Sequence, residues 1–315
     1  MNSSVREFLD LDHVVTTDGR IYRVVGNLEH PYSFVGYNVY SPAPGGDRLF
    51  RGESYRKNYT EDDELPDDAL DTYVILPKAS VREHLDPRTA AASSISTIEG
   101  TPWGGLYAEL TALFGPDKVG IFGSAMLGLH LTPDGAVRKD VDFVIEGAAS
   151  VPVLRAQLPA IRSRLGFTEV TSARQGQQYE RYRRVFRNDS NSTDAVIGRR
   201  WTALQAPNGV VTTIRFRDPD IRMPYQLAGA FPVQAREMTV TGQVTDADLG
   251  NLFPRMFRLN TGSFTYTVHL WWWKFASPVR DGETVTVRGS RRDLPGEPVI
   301  RVSSFTSHWL QIHNP

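Results

Sequence analysis

The sequence predicts an α+β protein: a mixed β-sheet flanked by helices, preceded by an N-terminal β-meander and followed by a C-terminal β-barrel. Between about residues 96 and 236, helical and strand-like segments alternate, an order typical of a mixed sheet with helices packed on it. From about residue 237, strand-like runs follow one another and are separated by turn signals. We therefore predict three regions, namely a β-rich region over 1–95 that packs on the core, the core over 96–236, and the barrel over 237–315.

Local signals predict individual elements. Asp18-Gly19 predicts a tight hairpin within 13–26, and a third β-type run at 32–42 completes the meander. Helical spacing of apolar residues, ended by Gly-Pro, predicts an amphipathic helix within 101–118. In the rest of the core we expect strands at 118–124, 140–147 and 167–170, a helix at 151–166, and a hairpin around Asn208-Gly209.

Composition excludes several functional classes. The chain has no cysteine, which excludes disulfides, thiolate metal sites and a cysteine nucleophile. No stretch approaches the roughly 18 consecutive apolar residues needed to cross a bilayer. The start of the sequence lacks the basic region and apolar core of a secretory signal. We expect a soluble, cytoplasmic protein with no membrane partner.

Charge is distributed unevenly along the chain. Residues 1–150 contain 13 Lys and Arg against 23 Asp and Glu, whereas residues 151–315 contain 22 against 13. All the basic residues of the second half except Lys274 are arginines, whose planar guanidinium suits phosphate. This asymmetry favours contact with RNA or single-stranded nucleic acid; the alternative is a compositional bias toward arginine.

The segment 118–147 carries the strongest functional signal. Asp140 and Asp142 alternate on a predicted strand, so both carboxylates should face the same side while Val141 and Phe143 face the core. Carboxylates are suitable ligands for Mg²⁺ (or Mn²⁺), and a pair of such cations about 4 Å apart serves phosphoryl and nucleotidyl transfer.

A glycine-serine pair precedes these carboxylates. Gly123 allows a phosphate to approach the backbone closely, and Ser124 should begin a helix whose N-terminal amides attract an anion. A nucleoside triphosphate (NTP) could then bind on these amides, with its cations on the two aspartates. The alternative is that the aspartates end a strand for solubility and that the Gly-Ser turn holds no ligand.

The stretch "FGS", followed by "KDVDFVIEG", resembles the signature of the polymerase-beta-type nucleotidyltransferase superfamily, a Gly-Ser and then an Asp-x-Asp on the next strand. Over roughly residues 10–220 the order of elements is also similar to that of uncharacterised prokaryotic nucleotidyltransferases. The resemblance implies a nucleotidyltransferase core that transfers a nucleoside monophosphate from an NTP. It assigns metal binding and catalysis to Asp140 and Asp142, and phosphate binding to Gly123 and Ser124.

Two features depart from the family pattern. Fifteen residues separate Ser124 from Asp140, a long spacer, so residues 132–139 form a predicted insertion over the site. Many family members carry a third carboxylate on a later strand, at a position that corresponds here to Thr213, with Arg215 nearby. Neighbouring loops offer three possible replacements: Asp194, Asp218 and Asp220.

A basic segment follows at 175–187. It is predicted to form a helix on which Arg183 and Arg187 share one face, suited to a triphosphate or a nucleic-acid backbone. The alternative is a solvated face paired with acids such as Glu180.

Five strand-like runs after residue 237, with an interruption between the third and fourth, are typical of an OB-like barrel; another five-stranded barrel or a sandwich is the alternative. Strand alternation should place His269, Trp271 and Trp273 on its outer face, where they would bind the acceptor by stacking beside a cation such as Arg288. The alternative is that the tryptophans pack against the core.

Two hypotheses of different class follow. The first is an Mg²⁺-dependent nucleotidyltransferase acting on a hydroxyl acceptor, with RNA (a tRNA-like 3′ end) favoured and a small nucleoside or sugar as the alternative acceptor. The second is a catalytically inactive module of the same fold that binds nucleotide or RNA. A regulatory partner in a toxin–antitoxin pair is a third reading.

Overall fold

The computed structural model describes residues 7–58, 67–129, 140–170, 183–187, 189–224, 236–272, 278–294 and 297–313. The chain divides by its contacts into two compact units. Unit 1 consists of Met1–Asp63, Tyr73–Glu169 and Thr202–Ala228, and unit 2 of Glu64–Thr72, Val170–Trp201 and Gly229–Pro315. The N-terminal β region and the core sheet therefore share one unit. Among the residues that the structure describes, no helix has the length and apolar character that a membrane crossing requires.

A seven-stranded antiparallel sheet forms the N-terminal part of unit 1. Its strands are β1 (His13–Thr16), β2 (Ile21–Val24), β4 (Ser33–Pro42), β5 (Arg48–Phe50), β6 (Glu53–Lys57), β7 (Val74–Pro77) and β8 (Val81–Leu85). Their order is β5-β6-β4-β2-β1-β8, with β7 also paired to β4. The predicted hairpin joins β1 to β2, and Gly19 has the positive φ of 82° that its turn requires. The meander is confirmed, within a larger sheet than predicted.

The core of unit 1 is a mixed five-stranded sheet with helices, as predicted. Its strands are β9 (Val119–Phe122), β10 (Asp142–Glu146), β11 (Thr168–Glu169), β12 (Ala203–Gln205) and β13 (Val211–Arg217), in the order β11-β12-β13-β10-β9. Within this sheet, β10 and β13 form a parallel pair, and the other described pairs are antiparallel. The helices are α1 (Pro87–Ile98), α2 (Pro102–Phe114) and α3 (Ser150–Leu165). A small parallel pair, β3 (Leu28–Glu29) with β14 (Met223–Pro224), completes the unit.

Unit 2 contains a closed five-stranded barrel. Its strands are β15 (Arg236–Thr245), β16 (Arg255–Asn260), β17 (Thr265–Leu270), β18 (Thr284–Leu294) and β19 (Glu297–Val302). They follow the order β15-β16-β17-β19-β18, and pairing of β18 with β15 closes the ring. A further strand, β20 (Trp309–His313), pairs with β18, and α4 (Ser190–Gly198) lies in the same unit.

The last predicted run of the barrel corresponds to two strands rather than one. A turn separates β19 from β20 because His308 folds back, its Nδ1 accepting hydrogen bonds from the backbone N–H groups of Ser303 and Ser304 at 3.0 and 3.1 Å. Alternation along a run predicts the faces of a strand, but this side-chain-to-backbone contact has no such periodic signal.

A buried ion cluster joins the two sheets of unit 1. The side chain of Arg217, at the end of β13, is fully buried. Its guanidinium donates to Glu146 of β10 at 2.9 Å and to Asp12, which precedes β1, at 2.6 Å. It also contacts Asp86, the residue that caps α1, at 3.3 Å. Burial alone would raise the pKa of Asp86, but hydrogen bonds from Arg88 and the charge of Arg217 lower it to about 2.

We expect Arg217→Met to destabilise the protein by about 3–5 kcal/mol, because it leaves buried carboxylates without their cation. Urea unfolding followed by circular dichroism measures the change. The control is Arg164→Met, which breaks an exposed two-bond pair between Arg164 and Glu109 and should leave the midpoint close to that of the wild type. Equal midpoints for Arg217→Met and Arg164→Met would contradict the structural role assigned to the cluster.

Candidate active site

The two carboxylates of the motif lie at the N-terminal end of β10, an inner strand of the core sheet. Because β9 and β10 are antiparallel, with Phe122 opposite Asp142, β9 ends where β10 begins. Gly123 therefore follows β9 directly beside Asp142. The predicted strand was too long, since β10 begins at Asp142 and Asp140 precedes it by two residues. The negative charge of Asp140 nevertheless contributes to the raised pKa of Asp142.

One oxygen of Asp142 is held by the neighbouring strand. The backbone N–H of Thr213 donates to Asp142 Oδ1 at 2.9 Å, and the Thr213 hydroxyl donates to the same oxygen at 2.7 Å. Thr213 thus occupies the predicted position next to the motif, but as a hydrogen-bond donor rather than a carboxylate. The contact fixes the orientation of Asp142 and leaves its Oδ2 toward Gly123.

Gly123 meets a conformational requirement beside Asp142. Its φ of 71° lies in the left-handed region that favours glycine. A Cβ built on Gly123 would lie 3.5 Å from Asp142 Oδ2, an ordinary van der Waals distance, so the backbone conformation rather than lack of space favours glycine here.

The helix predicted after Ser124 does not form. Residues 123–129 make successive turns, and the N–H of Leu129 donates to the carbonyl of Ser124 at 2.8 Å. Leu127 and Leu129 are instead buried in a cluster of the N-terminal sheet that includes Val15 and Tyr40. The turn segment is thus held by packing against that sheet, and the predicted insertion at 132–139 lies outside the described residues.

Burial raises the pKa of Asp142 to about 7, and the charge of Asp140 contributes to the rise. The hydrogen bonds from Thr213 and the charge of Arg215 act in the opposite direction and offset only part of it. The ionised form of Asp142 is therefore disfavoured, a condition common at functional sites.

Sequence reasoning missed Tyr40 of the N-terminal sheet. Tyr40 on β4 is buried, and its pKa is raised to about 12 by burial; the charges of Asp140 and Asp142 also raise it, whereas that of Arg48 lowers it. The carboxylates of the motif and Arg48 thus each act on Tyr40. Tyr40 has no motif, because packing of the N-terminal sheet on the core sheet brings it under the influence of the aspartates.

Two of the three proposed replacements for the missing carboxylate lie at the wrong end of the sheet. Asp218 follows the last residue of β13, five positions beyond Thr213, or about 16 Å along a strand. Asp218 accepts a hydrogen bond from the N–H of Ala148, and Asp220 lies two residues further on. Asp194 belongs to α4 of unit 2. Across the ranges that the structure describes, no three His, Cys, Asp or Glu side chains form a metal-binding group.

The predicted basic helix is only partly described. Residues 175–182 lie outside the described residues, and Arg183–Phe186 form a short 3₁₀ helix in unit 2. Arg183 is exposed. Arg187 has a positive φ of 59° and stacks over the ring of Trp309 at 4.6 Å, so the helical face that Arg183 and Arg187 were to share ends before Arg187.

The aromatic outer face predicted for β17 is corrected by the structure. His269 and Trp271 are 6% and 0% exposed, so neither offers a ring for stacking. The ring of Phe253 lies edge-on to Trp271 with centroids 5.7 Å apart. Trp273 lies outside the described residues, and Arg288 on β18 is exposed.

Comparison with protein-family models, with curated proteins and with solved structures finds no match to this chain.

Asp142→Asn should stabilise the metal-free protein at alkaline pH. The pKa of Asp142 is about 7 in the folded state against about 3.9 in an unfolded chain, so the folded state retains a proton that the unfolded state releases. Wild-type stability therefore falls as pH rises from about 4 to about 7 and stays at the lower level above it. Asn cannot ionise and avoids this loss.

Thermal and urea unfolding in EDTA should show Asp142→Asn more stable than wild type at pH 8, on the order of 2 kcal/mol, and nearly equal to it at pH 4. The matched control is Asp117→Asn, an exposed change at the opposite end of β9. A stability difference between Asp142→Asn and wild type that does not vary with pH would disprove the raised pKa.

Proposed function

We propose that the protein is a metal-dependent nucleotidyltransferase that transfers a nucleoside monophosphate from an NTP to a hydroxyl acceptor. The observation that carries this proposal is the position of Asp142 beside Gly123 at the start of β10, where burial and the charge of Asp140 oppose its ionisation. A hard divalent cation removes that penalty and accepts carboxylate oxygen together with substrate phosphate.

Each residue of the edge has a distinct part in this proposal. Asp140 and Asp142 would hold Mg²⁺ or Mn²⁺, and the bound cations supply charge stabilisation at the transferred phosphorus and the leaving pyrophosphate. Thr213 orients Asp142 through Oδ1 and so leaves Oδ2 for the cation. Gly123 would let the triphosphate approach the backbone closely. Ser124, in the turns that follow, would offer its hydroxyl or backbone N–H to a phosphate.

RNA is the acceptor class that we favour. The barrel order β15-β16-β17-β19-β18, with β17 and β19 parallel, supports an OB-like fold, a scaffold that binds single strands. Arg258 on β16 and Arg288 on β18 are exposed and would contact the phosphate backbone. Burial of His269 and Trp271 shifts the expected contacts from base stacking to charge. Since NTPs are held inside cells, this reaction would place the protein in the cytoplasm.

The second candidate is a nucleotide- or RNA-binding module without transfer activity. Thr213 favours it, because a donor stands where many members of the superfamily that the motif resembles carry a third carboxylate. The two candidates differ in a single assay.

We expect label transfer from at least one α-³²P-labelled NTP to RNA in the presence of Mg²⁺, analysed on a denaturing gel. Asp140→Asn and Asp142→Asn should each lower it roughly a hundredfold or more, because each loses an anionic ligand of the cation. Asp117→Asn, the exposed control in the turn before β9, should retain wild-type transfer.

The other outcomes decide between the alternatives. RNA binding by the wild type without transfer from any of the four NTPs would establish the binding module and refute the enzyme. Transfer to a nucleoside or sugar but not to RNA would keep the enzyme and replace its acceptor. Transfer that persists in both aspartate variants would remove the motif from the mechanism.

A further inference from the structure

Tyr40 and Arg48 share one face of the N-terminal sheet. In register, Val15 pairs with Ile21 and Ile21 with Tyr40, so these three side chains form a row across β1, β2 and β4. Arg48 of β5 pairs with Tyr55 of β6, which in turn pairs with Pro42, two residues beyond Tyr40. Residues two apart on a strand face the same side. Arg48 therefore lies on the same face as Tyr40.

This face is the one that receives the segment after the Gly-Ser pair. Leu127 and Leu129 are buried in the same apolar cluster as Val15, Tyr40 and Tyr55. The cluster therefore fixes the distance between the sheet and the turns that begin at Gly123. Packing in this cluster places Tyr40 of β4 against the segment that follows Gly123.

Arg48 has a buried donor without a partner, and Tyr40 brings a buried hydroxyl to the same face. The Tyr40 side chain is 3% exposed, and burial is the largest cause of its raised pKa. The Arg48 side chain is 13% exposed, and its Nε is buried with no hydrogen-bond partner in the described part of the chain. Its Nη1 is tethered by the carbonyl and carboxylate of Asp47. A buried donor without a hydrogen-bond partner destabilises the folded protein unless a ligand accepts its hydrogen bond.

We propose that Tyr40 and Arg48 are substrate-binding residues, in which the Tyr40 hydroxyl and the Arg48 guanidinium donate hydrogen bonds to the phosphate chain of the NTP that Asp140 and Asp142 bind through cations. This inference rests on the proposed function. The site then has two sides, with anionic ligands for the cations on the core sheet and neutral and cationic donors for the phosphate oxygens on the N-terminal sheet. Charge-assisted bonds of this type are the stronger class of hydrogen bond. Because its pKa is about 12, Tyr40 stays protonated and remains a donor over the working pH range.

Tyr40→Phe separates this role from a structural one. The substitution keeps the ring in the cluster with Val15 and Leu129, and it removes the hydroxyl that the proposal assigns to phosphate binding. The matched control is Tyr55→Phe in the same cluster, whose hydroxyl donates to the carbonyl of Gly19 at 3.0 Å. A purely structural reading expects the control to lose stability and neither variant to change nucleotide affinity.

The experiment is isothermal titration of the full chain in Mg²⁺ with the α,β-methylene analogue of each NTP, and separately with inorganic tripolyphosphate. Tyr40→Phe should weaken binding of both probes about tenfold. Arg48→Gln should weaken it more, with partial recovery in Arg48→Lys, which keeps the charge but loses the fork. Tyr55→Phe should bind both probes as the wild type does.

Each remaining result overturns a distinct statement. Wild-type affinity in Tyr40→Phe and Arg48→Gln, together with lost affinity in Asp142→Asn, refutes the inference and leaves the proposed function standing. Weakened nucleotide binding with unchanged tripolyphosphate binding refutes the assignment to phosphate. A wild type that binds none of the nucleotide analogues refutes both the inference and the proposed function.

Discussion

The ion cluster around Arg217 is the interaction on which the rest of unit 1 depends. It connects the residue before β1, the cap of α1 and the end of β10 through one buried guanidinium. The candidate site lies at the opposite end of β10 and draws Asp142 from the core sheet and Tyr40 from the N-terminal sheet. These side chains approach each other only while the two sheets stay docked. A buried cation among carboxylates is sensitive to loss of a partner, so the cluster enforces one docking arrangement rather than adding a large net stability.

The carboxylate edge shows the opposite energetic balance. The cluster satisfies its acids with arginine, whereas Asp142 is held by the two hydrogen bonds of Thr213 and faces the charge of Asp140. Those hydrogen bonds and the charge of Arg215 favour the ionised form of Asp142, and burial disfavours it more strongly. In the Arg217 cluster the balance lowers the pKa of Asp86, and at the start of β10 it raises the pKa of Asp142. A raised carboxylate pKa of this kind is common at functional sites.

Local patterns predicted much of this arrangement. The hairpins at Gly19 and Gly209, α2, α3 and the strands β9 and β10 follow from turn residues and apolar periodicity, which act within a few residues. The prediction of a helix after Ser124 was wrong because burial of Leu127 and Leu129 against the N-terminal sheet overrides the local helical preference. The prediction that His269 and Trp271 are exposed was wrong for a different reason. Alternation predicts which face of a strand a residue occupies but not whether other chain segments cover that face. Tyr40 and Arg48 could not be found from sequence, because a hundred residues of chain separate them from Asp142.

Thr213 bears most directly on the chemistry. A third carboxylate would accept the proton of the attacking hydroxyl, whereas Thr213 donates its own hydrogen to Asp142 and cannot accept in that contact. Tyr40 does not replace the third carboxylate as a base. Burial raises the pKa of Tyr40 to about 12, so its hydroxyl stays protonated. If the enzyme hypothesis holds, the proton must pass to solvent or to the substrate, and acceptors with more acidic hydroxyls are then favoured. The vicinal hydroxyls of a ribose acidify each other, so a terminal RNA ribose suits this site better than an isolated alcohol. The same residue that weakens the case for catalysis therefore narrows the class of acceptor.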